Sequence, residues 1–217
     1  MSEIVTLIDY GASNLLSVSR ALEYLGAEVV IVDKPEQIQQ ARKLVLPGVG
    51  AFADGMAALA TQGLIEPIRD YVDTGRPFLG ICLGMQMLFE TSEEFGVHTG
   101  LGLIPGKIAP IPRASVEGAS HKIPHIGWNS LVQANDQRVW HGTILDQLDQ
   151  GDAVYFVHSF AATEIKPEHL LANCLYGGHH VVAVVNKANV HGCQFHPEKS
   201  GEVGLKILKG FLQIDVE

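Results

Sequence analysis

Short apolar runs alternate with helical patterns through the first half of the chain, and this alternation restricts the fold more than any other feature. Four runs predict strands, at residues 4–9, 28–32, 44–46 and 77–82. Between the first two, apolar residues recur at helical spacing from Leu15 to Leu25, with Asn14 in position to cap the helix. A short helix is predicted from Pro35 and a longer helical stretch from about Asp54. Apolar strands separated by helices indicate a parallel sheet covered on both faces.

The second half has a different pattern, with many short β-like runs and few helical ones. Residues 106–133 are rich in proline and show no helical periodicity, and further strands are predicted at 153–160, 171–176, 181–187 and 190–195. Gly177-Gly178 marks a hairpin turn, and a helix is predicted from residue 200 to 212. No linker or repeat interrupts the chain. The sequence therefore predicts a single α/β domain over residues 1–217. Its architecture would be a flavodoxin-like three-layer sandwich with a mostly parallel mixed sheet, helices on both faces and extra β segments in the second half.

Composition excludes several classes of function. The 217 residues are 47% apolar and 18% charged, which suits a compact folded domain. The net charge of −9 would repel phosphate backbones, so we expect no nucleic-acid partner. No apolar run is long enough to span a membrane and no export signal is evident, so we expect a cytoplasmic protein with reduced thiols.

Metal binding is not expected either, although the chain has ten histidines and three cysteines. The cysteines have no metal-ligand spacing, and no histidine pair shows the i, i+4 spacing with a glutamate that helical zinc sites use. His158 and His191 lie in strand-like runs and would be core or supporting residues. His179 and His180 lie at a predicted turn, where we expect them to be solvated. No cofactor is predicted.

Residues 78–86 join the fourth strand to a helix, predicted over residues 83–90, through a cysteine. Cys82 ends the strand, which places its sulfur at the carboxyl edge of the sheet, where open α/β folds bind ligands. Gly80 and Gly84 leave room for a tight turn of the kind that presents a nucleophilic serine in hydrolases. The helix N-terminus would favour the thiolate. The alternative is a buried core cysteine, which is the commoner environment for a free thiol.

His196 and Glu198 provide a base for this nucleophile and a partner for the base. Pro197 favours an extended backbone at His196, and side chains two apart in extended chain point to the same side. Glu198 can therefore accept the second N–H of the imidazole, which gives the arrangement of a Cys–His–acid triad. A His-x-Glu sequence alone is more often structural.

The glycine-rich segment at residues 46–50 follows the third strand. It lacks the G-x-G-x-x-G pattern of a dinucleotide site, and no Gly-Lys-Ser/Thr follows as in a phosphate loop. Exposed backbone N–H groups at such a strand end would suit an oxyanion. A plain strand-to-helix turn is the alternative.

Together the three segments resemble the class I, or triad, glutamine amidotransferases. Their order is Pro-Gly-Val-Gly from residue 47, Gly-Ile-Cys-Leu-Gly-Met-Gln from residue 80 and His-Pro-Glu from residue 196. The resemblance implies that Cys82 attacks the side-chain amide of L-glutamine, that His196 protonates the leaving ammonia and that Glu198 orients His196. It also implies oxyanion donors at Gly48, Val49, Gly50 and Leu83, and substrate contacts at Gly50, Gln86, Ser159 and Phe160.

Further segments are similar to the glutaminase subunits of imidazole glycerol phosphate synthase. They include Asp-Tyr-Gly from residue 9, Pro-His-Ile-Gly-Trp-Asn from residue 124 and Tyr-Phe-Val-His-Ser-Phe from residue 155. Two departures are visible: Ala12-Ser13 stands where Met-Gly is more usual, and Phe160 where tyrosine is frequent. This similarity implies a heterodimer with a (β/α)8-barrel cyclase subunit that receives the ammonia. The interface would include Asn14, Trp128, Tyr155 and Lys199, although Trp128 equally suits a core position.

Two other functions compete with this interpretation. One is a glutaminase subunit that serves a different acceptor, such as a pyridoxal phosphate synthase, and the Pro-His-Ile-Gly-Trp-Asn segment disfavours it. The other is a flavodoxin-like binding module with a structural cysteine. That module would require Cys82, His196 and Glu198 to lie far apart.

Overall fold

The largest sheet of the protein carries the residues of interest at one edge. The computed structural model describes residues 2–11, 14–134 and 140–215. Within these ranges an eight-stranded sheet has the order β2-β1-β3-β4-β14-β13-β12-β9. The strands from β2 to β14 in this order pair in parallel, and the remaining pairs are antiparallel. Two smaller sheets have the orders β10-β8 and β11-β7-β5-β6.

The strands are β1 (Ile4–Ile8), β2 (Glu28–Val32), β3 (Leu44–Gly48), β4 (Phe78–Cys82), β5 (Phe89–Ser92), β6 (His98–Thr99), β7 (Ile104–Pro110), β8 (His125–Ser130), β9 (Val132–Gln133), β10 (Ala153–His158), β11 (Phe160–Thr163), β12 (Leu170–Tyr176), β13 (His179–Lys187) and β14 (Val190–Cys193). The helices are α1 (Leu15–Tyr24), α2 (Pro35–Ile38), α3 (Phe52–Thr61), α4 (Ile65–Asp73), α5 (Leu83–Gln86) and α6 (Gly201–Leu212).

Helices cover both faces of the large sheet, as the apolar strands predicted. Alternate residues of one strand enter two separate cores, so that Val45 of β3 packs in one core and Leu46 in the other. The first core contains the buried faces of α1 and α6, and the second contains those of α3, α4 and α5. The predicted three-layer α/β fold with a mixed sheet is therefore confirmed.

The structure corrects three of the predicted elements. The helix predicted over residues 83–90 ends at Gln86, because Phe89–Ser92 forms β5 and pairs with β7. The strand predicted over 153–160 breaks at Ser159, since β10 pairs with β8 whereas β11 pairs with β7. The helical stretch from Asp54 begins at Phe52 and consists of two helices, separated near Gly63, whose φ is +68°. Sequence periodicity carries no information about these long-range pairings.

The register of the parallel strands decides where the candidate residues meet. Gly48 of β3 lies opposite Cys82 of β4, and Ile81 lies opposite Cys193 of β14. Because parallel strands present their carboxyl ends at one edge, the segments that follow β3, β4 and β14 converge there. This edge holds Gly50, Cys82 and His196. The Ala12-Ser13 departure lies outside the described residues.

Candidate active site

Cys82 occupies a strained turn that flanking glycines make possible. Its φ of 54° and ψ of −110° lie in a region that L residues rarely adopt. A Cβ at Gly80 would lie 2.7 Å from the Gly84 carbonyl oxygen, and one at Gly84 would lie 1.8 Å from the Leu46 carbonyl oxygen. The predicted tight turn is therefore present. The helix after it is a single turn, so its dipole contributes less than a long helix would.

His196 and Glu198 form the expected pair, and both side chains are almost fully buried. Nδ1 of His196 donates to Oε1 of Glu198 at 2.7 Å, with 1% and 0% of the two side chains exposed. The same oxygen accepts a 2.7 Å hydrogen bond from Nδ2 of Asn14. Asn14 was predicted to cap α1, but it has a left-handed backbone and makes no side-chain cap, so this prediction is wrong about its side chain. The amide holds the carboxylate instead.

The electrostatics of His196 depend on Cys82. Its Nε2 is buried and makes no well-formed hydrogen bond in the described part of the chain. Burial by itself lowers the pKa of His196, but the Cys82 sulfur and the Glu198 carboxylate outweigh burial and raise it to about 9. At neutral pH the ring is therefore cationic, which favours a thiolate beside it.

A small cavity of about 190 Å³ opens between these residues. Its lining contains the sequence-predicted residues Val49, Gly50, Cys82, Leu83, Gln86, Ser159 and His196, together with Val157 and His158. Glu198 does not line it, and neither do two of the predicted oxyanion and substrate-binding residues. Gly48 packs behind the turn, where a Cβ would lie 2.2 Å from the Tyr10 hydroxyl, and Phe160 contributes a carbonyl group to the surrounding network.

That network fixes the wall of the cavity. The Phe160 carbonyl accepts from Nε2 of Gln86 at 3.1 Å and from Nδ1 of His158 at 2.9 Å. Nε2 of His158 in turn lies 3.0 Å from Nδ1 of His125. Burial lowers the pKa of His125 to about 4 and that of His158 to about 3, so both rings are neutral near pH 7 and each donates from one nitrogen.

This arrangement suits amide hydrolysis through a covalent intermediate. Cys82 can attack a carbonyl carbon, and the cationic His196 can protonate the leaving amine. Val49, Gly50 and Leu83 line the same cavity, so their backbone N–H groups are candidates for stabilising a developing oxyanion. Among the described residues, no group of three or more His, Cys, Asp or Glu side chains is arranged to hold a metal ion.

Comparison with known proteins shows the family of the chain. The family model described as glutamine amidotransferase class-I matches residues 6–214. The chain belongs to this family.

Several relatives of the amidotransferase carry the name of the same enzyme subunit. The imidazole glycerol phosphate synthase subunit HisH 1 of Legionella pneumophila (strain Lens) is 54% identical over 210 residues, which cover 97% of this chain and 99% of the relative. The subunit HisH of Geobacillus sp. (strain WCH70) is 46% identical, with 97% of each chain covered.

Solved structures agree with the fold of the amidotransferase. A structure of PurLQS from Thermotoga maritima superposes with a TM-score of 0.72 at 21% identity, covering 98% of each chain. A crystal structure of a glutamine amidotransferase has a TM-score of 0.71 at 17% identity and covers 98% of this chain and 100% of that one. At these identities the likeness concerns the fold alone.

An aromatic pair at the surface lies next to His196, whose backbone N–H donates to the Tyr155 carbonyl at 3.0 Å. Trp128 is 58% exposed and packs edge-on against Tyr155, with ring centroids 6.2 Å apart. The core position considered for Trp128 is therefore wrong. Lys199 is exposed beside Glu198, and Leu16 at the start of α1 is 61% exposed. No helix of the described residues is long and apolar enough to cross a membrane.

Two buried polar residues lie at the candidate site although nothing in their local sequence predicted it. The Ser200 hydroxyl donates to the His196 carbonyl at 2.6 Å and accepts from the Tyr155 N–H at 2.9 Å, which ties the base to β10. Gln194 is fully buried and lies within the motif that contains His196, but no role was predicted for it. Gln194 directly follows β14 and Ser200 directly precedes α6, positions where polar residues are otherwise expected to be solvated.

The pH dependence of stability offers a test away from the site. Burial lowers the pKa of His191 on β14 to about 4. In the unfolded chain His191 binds a proton near pH 6.5, whereas in the folded chain it does not. The contribution of neutral His191 to stability is therefore complete above pH 6.5 and is lost as the pH falls towards 4. Between pH 7 and 4 the unfolding free energy should fall further in the parent than in the His191→Gln variant. We expect the difference between the two falls to reach up to about 3 kcal/mol in denaturant titrations. The exposed His180→Gln should match the parent, and identical slopes for parent and His191→Gln would contradict the assignment.

Proposed function

We propose that the chain hydrolyses glutamine to glutamate and ammonia as a single amidotransferase domain, through a Cys82–His196–Glu198 triad. The observation that carries this proposal is the placement of Cys82 on a strained turn, in the same cavity as a base that is buried against a carboxylate. The family membership of the chain supports the choice of an amide substrate.

The proposed reaction follows from this geometry. The Cys82 thiolate attacks the side-chain amide carbon of glutamine, and N–H groups from Val49, Gly50 and Leu83 stabilise the oxyanion, with Gly48 holding this segment against the turn. His196 gives a proton to the departing ammonia, which leaves a glutamyl thioester on the sulfur. Water, deprotonated by His196, then releases glutamate and restores the thiol.

The proposed substrate contacts come from the cavity wall. Gly50, Gln86 and Ser159 line the cavity, and the carbonyl of Phe160 lies in its second layer. Both amide hydrogens of Gln86 are already donated, one to Phe160 and one to Gln194, so its Oε1 is the atom that remains for a donor group of the substrate. The replacement of tyrosine by Phe160 leaves a backbone contact intact.

We also propose that the ammonia passes to a (β/α)8-barrel cyclase subunit in a heterodimer. That partner would form imidazole glycerol phosphate and AICAR in histidine biosynthesis, in the cytoplasm. The relatives named as subunits of imidazole glycerol phosphate synthase favour this acceptor over a pyridoxal phosphate synthase. The docking surface would consist of Asn14, Trp128, Tyr155 and Lys199. Asn14 donates to Glu198 and Lys199 follows it in the chain. Trp128 packs against Tyr155, whose carbonyl accepts from the His196 N–H.

The experiment combines the chain with the cyclase and measures both affinity and glutamate production. We expect low glutaminase activity alone and a rise of at least tenfold when the cyclase and its ligand bind. Trp128→Ala should weaken the complex at least tenfold, since exposed tryptophans are frequent hot spots. Ile31 on β2 is an exposed apolar residue with no proposed role, so Ile31→Ala is the matched control and should bind like the parent. Full activity of the isolated chain would contradict the proposal.

A further inference from the structure

The Gln194 side chain ends at the Cys82 sulfur and is held there rigidly. It is 0% exposed, and its backbone N–H donates to the Ala183 carbonyl at 2.9 Å. Its Oε1 accepts from Nε2 of Gln86 at 3.1 Å, and its Nε2 lies 4.0 Å from Sγ of Cys82. A buried amide in such a position is expected to form hydrogen bonds with the polar groups next to it.

The orientation of the two amides is decided by a backbone carbonyl. The Phe160 carbonyl can only accept hydrogen bonds, so the atom of Gln86 that faces it at 3.1 Å must be the NH2 group. The second hydrogen of that NH2 group points to Gln194, which must therefore present its oxygen to Gln86. The NH2 group of Gln194 then has to face the sulfur. A flipped Gln194 would place two NH2 groups against each other.

The NH2 group of Gln194 that faces Cys82 should stabilise the thiolate form of the sulfur more than the thiol form. A neutral thiol is a weak acceptor, whereas a thiolate accepts strongly, and hydrogen bonds to charged groups are the stronger class. His196, cationic at neutral pH, is in the same cavity as the sulfur. The amide therefore offers the thiolate form of Cys82 an uncharged donor, at a sulfur whose residue is only 7% exposed.

We propose that Gln194 is a further residue of the catalytic site, whose amide donates to the Cys82 thiolate and holds the sulfur in the direction of attack. The proposal rests on the function above only in taking Cys82 as the nucleophile. Gln86 acts through Gln194 as a positioning residue, in addition to its proposed contact with the substrate.

The test is the rate at which iodoacetamide alkylates Cys82 in the full chain without glutamine. In this reaction the thiolate forms a sulfur–carbon bond as iodide leaves, so the rate reports on the sulfur whatever amide the enzyme hydrolyses. Gln194→Met keeps the length of the side chain and removes the donor. We expect alkylation about tenfold slower than in the parent at pH 7, and within threefold of it at pH 10, where base removes the proton without help from the amide.

A second variant, one control variant and two further measurements complete the test. Gln194→Glu retains an oxygen for Gln86 but places a carboxylate beside the sulfur, and we expect alkylation at least 100-fold slower at pH 7. Asn173→Ala removes a buried amide from β12 of the same sheet and should react like the parent. Peptide masses assign the label to Cys82, and thermal unfolding shows that each variant is folded. Alkylation of either Gln194 variant at the parent rate at pH 7 would overturn the proposal, even if glutamine proved not to be the substrate.

Discussion

Replacing Cys82 by alanine is expected to reduce glutamine hydrolysis by at least about 10⁴-fold, the loss that follows removal of the nucleophile from a catalytic triad. The cavity, the oxyanion donors and the His196–Glu198 pair remain in this variant, so binding of glutamine should persist while turnover stops. The measurement is glutamate release at saturating glutamine, with the cyclase present. Calorimetric binding of glutamine to the variant separates lost chemistry from lost affinity.

Cys174 provides the matched control because it is also a buried cysteine on the same sheet, on β12. Burial raises the pKa of the Cys174 thiol to about 12, so it carries no thiolate at neutral pH. Cys174→Ala should therefore keep the parent turnover. Undiminished turnover by Cys82→Ala would show that the proposed triad does not catalyse the hydrolysis.

The Gly84→Ala variant should show the largest loss of stability. The new Cβ would lie 1.8 Å from the Leu46 carbonyl oxygen, whereas a carbon–oxygen contact needs roughly 3.3 Å. Backbone of β3 and α5 would have to separate, which we expect to cost at least about 3 kcal/mol of unfolding free energy. A displacement of about 1 Å at Cys82 would also lower turnover at least about 100-fold.

The control for Gly84→Ala is a glycine whose side-chain space is open. Gly63 follows α3 with a φ of +68°, and no heavy atom lies within 4 Å of the position that a Cβ would take there. Gly63→Ala should therefore cost only the left-handed backbone strain of about 1–2 kcal/mol and leave turnover unchanged. Denaturant titration of both variants measures the difference. Equal stabilities would show that the β3–α5 contact yields without cost.

The sequence predicted the parts of the site that neighbouring residues determine. The glycines around Cys82 specify the turn within five residues, and Pro197 with Glu198 specifies the geometry of His196 within three. The layers of the fold were also predictable, because burial on both faces makes the parallel strands continuously apolar. These features depend on local backbone preference and on periodicity, which are readable in one sequence.

Contacts between distant segments were not predictable in the same way. Asn14 matched a helix cap by its local position, but its amide bonds to Glu198, 184 residues away. Gln86 and Gln194 are 108 residues apart, and only the register of β4 against β14 brings them together. The end of α5 at Gln86 likewise depends on the pairing of β5 with β7. In each case a tertiary contact decides between local alternatives that are close in energy.

The hydrogen bond from Asn14 to Glu198 links the surface of the molecule to the base in its interior. One carboxylate oxygen receives both Asn14 and His196, so a molecule that docks at the start of α1 and displaces Asn14 also changes the support of the imidazole. Coupling between two binding equilibria is reciprocal. A glutamine analogue in the cavity must then change the affinity of the docked molecule by the same factor, and that ratio measures how strongly the surface and the triad depend on each other.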